Sequence, residues 1–289
     1  MFYLLLAAFL WGTSFIAGKI AYQMADPALV VLFRLIIASS VMLPVFLRYQ
    51  SEIKAISPNQ WKRLILLGFL TYPVTFLLQF LGLQMTSAAS AATMIGVEPI
   101  MVVLVGYLFF KEKASLLVIL LGVTAFVGVA LVVGVSSDEN ISLMGCFLVL
   151  SSTVVVAFWL RMSKQILASM DAKLYTALTI VSGTLFGIPI ILFLIKNWDI
   201  NYSTNGVLAI LYLGIGCSLF AGWFWNKGLE TTPANLSGIF LALEPVFGVL
   251  LAVILLGEML SLTSIIGILL VVLSAGICIM LPRKSAEGT

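Results

Sequence analysis

Long apolar stretches alternate with short polar breaks along the whole chain. A helix that crosses a bilayer needs about 20 mostly apolar residues. Ten stretches fit this length, at 3–22, 28–48, 63–84, 87–110, 115–134, 142–164, 174–195, 206–229, 233–256 and 261–281. They are about twice as long as a membrane β-strand and do not alternate with a period of two. The pattern therefore predicts an all-α integral membrane protein with ten transmembrane helices.

The composition supports a membrane protein and limits its chemistry. Apolar residues make up 62% of the 289 residues and charged residues only 9%, whereas soluble domains average about 25% charged residues. The chain has no histidine, the commonest metal ligand and acid–base group, and Cys146, Cys217 and Cys278 each stand alone in an apolar stretch. We expect no metal, no cofactor and no nucleic-acid partner, and we expect the lipid bilayer and a small molecule as partners.

Two of the apolar stretches repeat one arrangement of carboxylates. Glu98 precedes a proline near the middle of 87–113, and Glu244 precedes a proline at the same place in 233–259, so that an offset of 146 relates them. Offsets of 145 or 146 also pair Glu112 with Glu258, Lys19 with Lys164, Asp26 with Asp171, Pro44 with Pro189, Gly68 with Gly214 and Gly82 with Gly228. The sequence therefore predicts two copies of a five-helix unit, residues 1–138 and 139–289.

An odd number of spans per copy has a topological consequence. The second copy must cross the membrane upside down, and inverted repeats are common in secondary transporters, with the substrate site near the midplane. Lysine and arginine favour cytoplasmic loops. With a cytoplasmic N-terminus, the twelve inner basic residues are Arg48, Lys54, Lys62, Arg63, Lys111, Lys113, Arg161, Lys164, Lys173, Lys227, Arg283 and Lys284. The three outer ones are Lys19, Arg34 and Lys196. We therefore expect both termini in the cytoplasm.

Several short motifs resemble those of one transporter family. They are the opening Ala8-Phe9-Leu10-Trp11-Gly12-Thr13-Ser14-Phe15, Arg34, and the two Glu-Pro pairs followed by Lys111-Glu112 and Gly257-Glu258. On these residues the chain resembles the EamA-type ten-helix carriers of the drug/metabolite transporter superfamily. The resemblance implies a two-repeat carrier of amino acids, other small metabolites or amphipathic drugs across a bacterial cytoplasmic membrane, often outward. The second copy departs from the pattern, because Trp159 stands in its first helix without a following glycine.

Glu98 and Glu244 are the first candidates for a substrate site. A carboxylate at mid-membrane is costly and is a functional hypothesis by default. Each could bind a cationic group of the substrate or hold a proton, because burial favours the neutral form of a carboxyl group. The structural alternative is that each glutamate caps a helix, or satisfies backbone groups, where the following proline breaks the helix. The sequence leaves both interpretations open.

Polar and aromatic residues on other helices complete the candidate site. Tyr72, Phe76 and Gln79 are spaced i, i+4, i+7 and therefore share one helix face. The other candidates are Trp11, Ser14, Trp159, Trp225, Asn226 and Arg34. Together they are typical of a small-molecule pocket, which is mostly apolar and aromatic with a few polar groups. Alternatives stay open for these residues. The tryptophans at 159 and 225 could anchor at the membrane interface. Arg34 could extend to the outer interface, or it could pair with a carboxylate or an acidic group of the substrate.

These features favour a secondary transporter that works by alternating access, with export as the expected direction. The sequence contains no GxxxxGK[ST] motif, so ATP is not expected to drive transport directly. A flippase for a lipid or lipid-linked substrate on the same fold is the alternative. An enzyme is not expected, because clustered His, Asp or Cys residues are missing. Small-residue faces at Gly122, Gly128, Gly267 and Gly276 could pack within one chain or form a homodimer.

Overall fold

The computed structural model describes residues 1–86, 91, 94–112, 115–133, 142–256 and 261–280. Within these residues every regular element is helical. The helices are α1 (Phe2–Ala21), α2 (Pro27–Arg48), α3 (Gln50–Lys54), α4 (Pro58–Met85), α5 (Glu98–Phe110), α6 (Leu116–Val133), α7 (Leu143–Leu167), α8 (Ala172–Leu194), α9 (Thr204–Leu229), α10 (Ala234–Leu241), α11 (Leu243–Leu256) and α12 (Leu262–Met280). Lys113, Glu258, Arg283 and Lys284, on which some of the sequence expectations rest, lie outside the described residues.

Six of the described helices are long and apolar enough to cross a membrane: α1, α2, α4, α7, α8 and α9. Shorter apolar helices lie at 98–110, 116–131, 234–248 and 265–277. Large apolar side chains cover much of the outer surface, and Leu143 and Phe193 are each 85% exposed. Monomeric soluble proteins do not expose apolar patches of this extent, so this surface faces lipid. The chain is a multi-pass membrane protein, while the number of ten spans stays a prediction.

The start of several helices follows directly from local sequence. Asp26 precedes Pro27 and caps α2 by accepting a hydrogen bond from the Ala28 backbone N–H at 2.9 Å. Asp171 caps α8 in the same way. Aspartate at the cap with proline at the first helical position is a strong start signal, because the side chain satisfies a free N–H and proline has none to satisfy. These caps fix where the chain turns back into the membrane.

Several of the membrane helices are interrupted midway along their length. Helix α1 breaks at Thr13, and a break at Ala242 separates α10 from α11. Helices α4 and α9 each contain a π-helical segment, Leu70–Val74 and Leu213–Phe220. Side-chain hydroxyls satisfy carbonyls in both segments: Thr75 Oγ1 donates to Leu70 O and Ser218 Oγ donates to Leu213 O, each at 2.8 Å. Such interruptions are frequent at functional sites.

Contacts at the helix ends occur twice in the same form. Lys19, in the last turn of α1, donates to the carbonyl of Leu83 at the end of α4 at 2.9 Å. Lys164, near the end of α7, donates to the carbonyl of Leu229 at the end of α9 at 2.7 Å. Both lysines therefore hold free carbonyls at a helix C-terminus, where a positive charge is favourable.

Glycines bring pairs of helices into backbone contact. A Cβ on Gly82 of α4 would lie 2.8 Å from the carbonyl oxygen of Gly145 on α7. A Cβ on Gly228 of α9 would lie 2.6 Å from side-chain atoms of Leu4 on α1. Gly128 of α6 packs against the carbonyl of Gly267 on α12. That small-residue face therefore packs within the chain, whereas a homodimer stays a prediction.

Candidate functional site

The helix interruptions surround a cavity inside the helix bundle. Its walls come from α1, α2, α4, α5, α7, α9, α10 and α11, so both halves of the chain contribute. The lining residues are Trp11, Ser14, Phe15, Arg34, Thr71, Tyr72, Thr75, Phe76, Gln79, Glu98, Val156, Trp159, Ser218, Gly222, Trp225, Asn226, Leu241 and Glu244. An apolar and aromatic lining with a few polar groups is typical of a small-molecule site.

The structure brings together every residue that the sequence proposed for a site. All eleven candidates line this one cavity: Trp11, Ser14, Arg34, Tyr72, Phe76, Gln79, Glu98, Trp159, Trp225, Asn226 and Glu244. Phe15, next to Ser14 in the opening motif, also lines the cavity. The sequence candidates did not include Thr71, Thr75, Val156, Ser218, Gly222 and Leu241. A signal for two of these was present, because Ser218 and Gly222 precede Trp225 with the spacing that joins Tyr72, Phe76 and Gln79.

Glu98 and Glu244 are both buried at the start of a helical segment that follows a break. Glu98 is 2% exposed and Glu244 6%, and both side chains line the cavity. Glu98 Oε2 has no hydrogen-bond partner among the described residues. A helix cap would use such an oxygen to accept a backbone N–H, so Oε2 does not act as a cap.

Gly12 lets α1 approach the second Glu-Pro break closely. A Cβ at Gly12 would lie 2.3 Å from the backbone oxygen of Glu244 and 3.0 Å from Cβ of Phe247. No L side chain fits at that distance, so the Trp-Gly pair of the first helix has a packing reason. The contact also sets Trp11, one residue earlier, against the cavity.

Three tryptophans form one wall of the cavity. The ring of Trp225 lies 5.2 Å from the ring of Trp11 and 6.5 Å from that of Trp159, measured between centroids. Trp225 and Trp159 are 1% and 4% exposed, so the interpretation of these two as interfacial anchors is wrong. Trp11 Nε1 donates to the carbonyl of Cys217 at 2.9 Å. The indole N–H groups of Trp159 and Trp225 have no partner in the described part of the chain.

Arg34 reaches the cavity from α2 and is held there. It is 1% exposed; its Nε donates to Ser218 Oγ at 2.9 Å, and its Cζ lies 3.8 Å from the centroid of the Phe76 ring. The alternative that Arg34 extends to the outer interface is therefore wrong, because its side chain is anchored inside the bundle. Its Nη1 has no hydrogen-bond partner among the described residues.

Two further polar candidates are fixed by their neighbours. Asn226 Nδ2 donates to Thr176 Oγ1 at 2.9 Å, which leaves the amide oxygen for the cavity. Tyr72 packs edge-on against Phe76 at 5.8 Å between centroids. Within the described ranges, no cluster of three or more His, Cys, Asp or Glu side chains could hold a metal ion.

A second buried charge cluster lies apart from the cavity. Arg161 of α7 is 2% exposed; its Nε donates to Glu112 Oε2 at 2.9 Å, and its Nη2 donates to Asn235 Oδ1. The predicted orientation counts Arg161 among the cytoplasmic loop charges and Arg34 among the outer ones. Neither is a loop charge, since both side chains lie inside the helix bundle, where internal partners replace water.

Comparison with known families places the chain. The model of the EamA-like transporter family matches residues 1–134 and 143–280. The chain belongs to the EamA-like transporter family. The family that the sequence motifs indicated is therefore confirmed, and the chain is a membrane transporter by family.

Relatives and a solved structure agree with this assignment. An uncharacterized transporter of Haemophilus influenzae is 46% identical over 140 residues, which are 47% of this chain and 82% of the relative. An uncharacterized transporter of Archaeoglobus fulgidus is 26% identical over 258 residues, 88% of each chain. A crystal structure with 18% identity matches with a TM-score of 0.79 and covers 97% of this chain and 98% of its own. That likeness concerns the fold alone.

Proposed function

We propose that this EamA-like transporter is a secondary carrier of the bacterial cytoplasmic membrane, with both termini in the cytoplasm. It moves a small metabolite, an amino acid or a related amphipathic or cationic compound, by alternating access, in the direction of export. The observation that carries this proposal is the cavity at the helix breaks. It combines two buried carboxyl groups with a wall of three tryptophans.

The chemistry of the cavity suits an amino group. Tryptophan faces attract ammonium groups, and Glu98 offers an oxygen without an internal partner. Glu98 and Glu244 also give the carrier two sites that can exchange a proton for a substrate cation. A carrier must release what it binds, and proton exchange at these carboxyl groups is one way to weaken binding on the second side.

The arrangement of the cavity supports two five-helix repeats, 1–138 and 139–289. Adding 145 to Trp11 and Ser14 gives Val156 and Trp159. Adding 146 to Tyr72, Phe76, Gln79 and Glu98 gives Ser218, Gly222, Trp225 and Glu244. All twelve residues line the cavity. A site at the contact between equivalent halves would have this pairing. The two segments matched by the family model also lie on either side of the 138/139 boundary.

Contacts at the helix ends support the inverted orientation of the second repeat. Lys19 at the end of α1 contacts the end of α4, and Gly145 at the start of α7 contacts the same end of α4. The end of α1 and the start of α7 are therefore on one side. These helices are the first of each proposed repeat, and this placement supports repeats that enter the membrane from opposite sides, as a ten-span carrier requires. The loop charges favour a cytoplasmic start even without the buried Arg34 and Arg161, because eleven basic residues remain inside against two outside.

Transport by purified protein in liposomes tests the proposal. A thermal-shift screen with amino acids, nucleosides and quaternary amines first identifies a compound that stabilises the folded protein. Flux of that compound is then measured with Glu98→Gln, Glu244→Gln and, as a control, Glu52→Gln, because Glu52 is exposed on α3. We expect each cavity variant to lower the flux roughly tenfold or more, in line with the loss of one charge-assisted contact, and the control to leave it unchanged.

Three results would change the assignment. Normal flux of both cavity variants at every pH would make the carboxyl groups structural. Flux absent for every soluble compound, with accelerated flipping of fluorescent lipid probes, would support the flippase. Conversion of a compound without vectorial movement would indicate an enzyme.

A further inference from the structure

Arg34 brings a guanidinium group into the middle of the bundle without an acidic partner. Within the described residues, ion pairs join Arg161 to Glu112 and Lys227 to Glu230, and none joins Arg34 to a carboxylate within 4.0 Å. Its contacts are the neutral hydroxyl of Ser218 and the faces of Phe76 and Phe80, whose centroids lie 3.8 and 4.9 Å from Cζ. A buried charge is costly unless it is paired.

The environment of Arg34 orients the guanidinium group and leaves one of its donors without a partner. The Ser218 hydroxyl donates a hydrogen bond to Leu213 O at 2.8 Å and accepts one from Arg34 Nε at 2.9 Å. Phe76 covers one face of the guanidinium plane. Nη1 is buried, has no partner in the described part of the chain, and belongs to a residue that lines the cavity. A donor fixed in this way is ready to bind an anion without first reorganising.

The equivalent position in the second half holds no cation. Adding 145 to Arg34 gives Thr179 on α8, a buried threonine whose hydroxyl donates to the backbone oxygen of Tyr175 at 2.8 Å. The corresponding place in the second half is thus filled by a small side chain that satisfies itself. Both halves supply a carboxyl group to the cavity. Of the equivalent positions 34 and 179, only position 34 holds a cation. If the cation had a structural role in the repeated fold, we would expect a cation at the equivalent position of both halves.

We propose that Arg34 is the anion anchor of the cavity, so that the substrate carries an acidic group together with its amino group. This deepens the proposed function and rests on it. The acid of the substrate accepts from Arg34 Nη1 on the α2 wall, its amino group contacts Glu98 and Glu244 on the α5 and α11 wall, and its apolar part lies against the tryptophans. The preferred substrate class is a compact zwitterion with a carboxylate, and cations without an acid bind more weakly.

Binding of matched compound sets tests the anchor. The probes are alanine, leucine and phenylalanine, the amines ethylamine, isoamylamine and phenethylamine that lack the carboxylate, and the acids propionate, 4-methylpentanoate and 3-phenylpropionate that lack the amine. Their affinities for the full-length protein in detergent are measured by intrinsic tryptophan fluorescence. We expect at least one zwitterion to bind roughly 10- to 100-fold more tightly than its amine, the range of a charge-assisted hydrogen bond.

Variants separate recognition from folding. Arg34→Gln lowers the affinity for the zwitterion and so removes its preference over the amine, whereas Arg34→Lys keeps part of the preference because it restores charge without the planar fork. Arg63→Gln, at an exposed position near the start of α4, keeps it fully. If Arg34→Gln fails to fold, Arg34→Lys and Ser218→Ala, which releases Nε, provide the same comparison.

The proposal is overturned if the amines bind as tightly as the zwitterions, if none of the nine compounds binds, or if a folded Arg34→Gln protein keeps the preference. If a cation without an acid group is then transported into liposomes, the proposed carrier function is kept and only the role of Arg34 is refuted. The carrier function is refuted by a different result, the absence of transport for every soluble compound.

Discussion

Among the described residues, four ionisable side chains lie buried in the helix bundle, and their partners differ. Arg161 has a carboxylate and an amide oxygen, whereas Arg34 has a hydroxyl, two aromatic faces and one donor without a described partner. Glu98 and Glu244 both line the cavity, and Glu98 Oε2 has no described partner. At the residue scale the distinction between a satisfied and an unsatisfied charge separates structural roles from candidate binding roles.

Removing the partner of Arg161 tests the structural role. Glu112→Ala leaves the buried guanidinium with Asn235 and the carbonyl of Ala157, and we expect a loss of about 1–3 kcal/mol, since an unsatisfied buried group costs that much. The loss appears as a lower melting temperature in detergent. Glu112→Gln keeps a hydrogen-bond acceptor and loses less. An unchanged melting temperature for Glu112→Ala would contradict the role of this pair.

At the scale of elements, helix breaks shape the cavity and glycines allow the helices to pack closely. The breaks at Thr13 and Ala242 and the π-helical segments interrupt helices around the cavity. Glycines join helices with close backbone contacts, as between α4 and α8, where a Cβ on Gly183 would lie 2.3 Å from Gly68 O. Close contact of this kind is the normal way helices associate in a bilayer, because lipid gives no hydrophobic drive.

Adding one methyl group at such a contact should be costly. A Cβ on Gly68 would lie 2.4 Å from Thr179 O and 2.9 Å from Gly183 N, so Gly68→Ala must push α4 and α8 apart. We expect a destabilisation of about 1–3 kcal/mol, measured as the melting temperature in detergent. Gly276→Ala is the matched control, because no atom lies within 4 Å of its added Cβ. Equal melting temperatures for the two variants would contradict this account of the α4–α8 contact.

At the scale of the whole molecule, the proposed inversion makes the two ends of the bundle equivalent. Lys19 and Lys164 perform the same task at the ends of α4 and α9, and the cavity lies between the ends. A carrier built in this way can exchange the conformations of its halves, which is the basis of alternating access.

Thiol labelling tests the inversion. Adding 145 to Lys54 gives Asp199, and both residues are exposed. In a protein whose Cys146, Cys217 and Cys278 are replaced by alanine, K54C and D199C are treated with a membrane-impermeant maleimide on spheroplasts. We expect labelling of D199C in intact spheroplasts and of K54C only after permeabilisation.

The pattern of labelling distinguishes two errors. Labelling of both cysteines from the same side would refute the inverted repeat. Labelling of K54C outside and D199C inside would keep the inversion and reverse the orientation of the protein in the membrane. Melting temperatures of the two cysteine variants, measured before labelling, show whether the alanine replacements have disturbed the fold.

Much of the helix layout could be read from the sequence, because the bilayer imposes a length and an apolar content on each span. The predicted stretch at 142–164 is α7, Leu143–Leu167, and that at 174–195 is α8, Ala172–Leu194. Start signals such as Asp26-Pro27 act locally, so they too could be read without contacts. The predictions on Arg34 and Arg161 as loop charges were wrong, because position near a helix end does not tell which way a long side chain turns.

What the sequence determined by itself was therefore the membrane class, the helix positions, the family and the doubled carboxylates, since each depends on residues close together in the chain or on an offset within it. Tertiary structure alone decided that eleven scattered candidates meet in one cavity, that two tryptophans are buried there rather than at the lipid interface, and that Arg161 has an acid where Arg34 has none. Those facts depend on which helix faces pack together. Packing depends on contacts between residues far apart in the chain, such as Arg34 with Ser218. A local sequence pattern does not predict contacts of this kind.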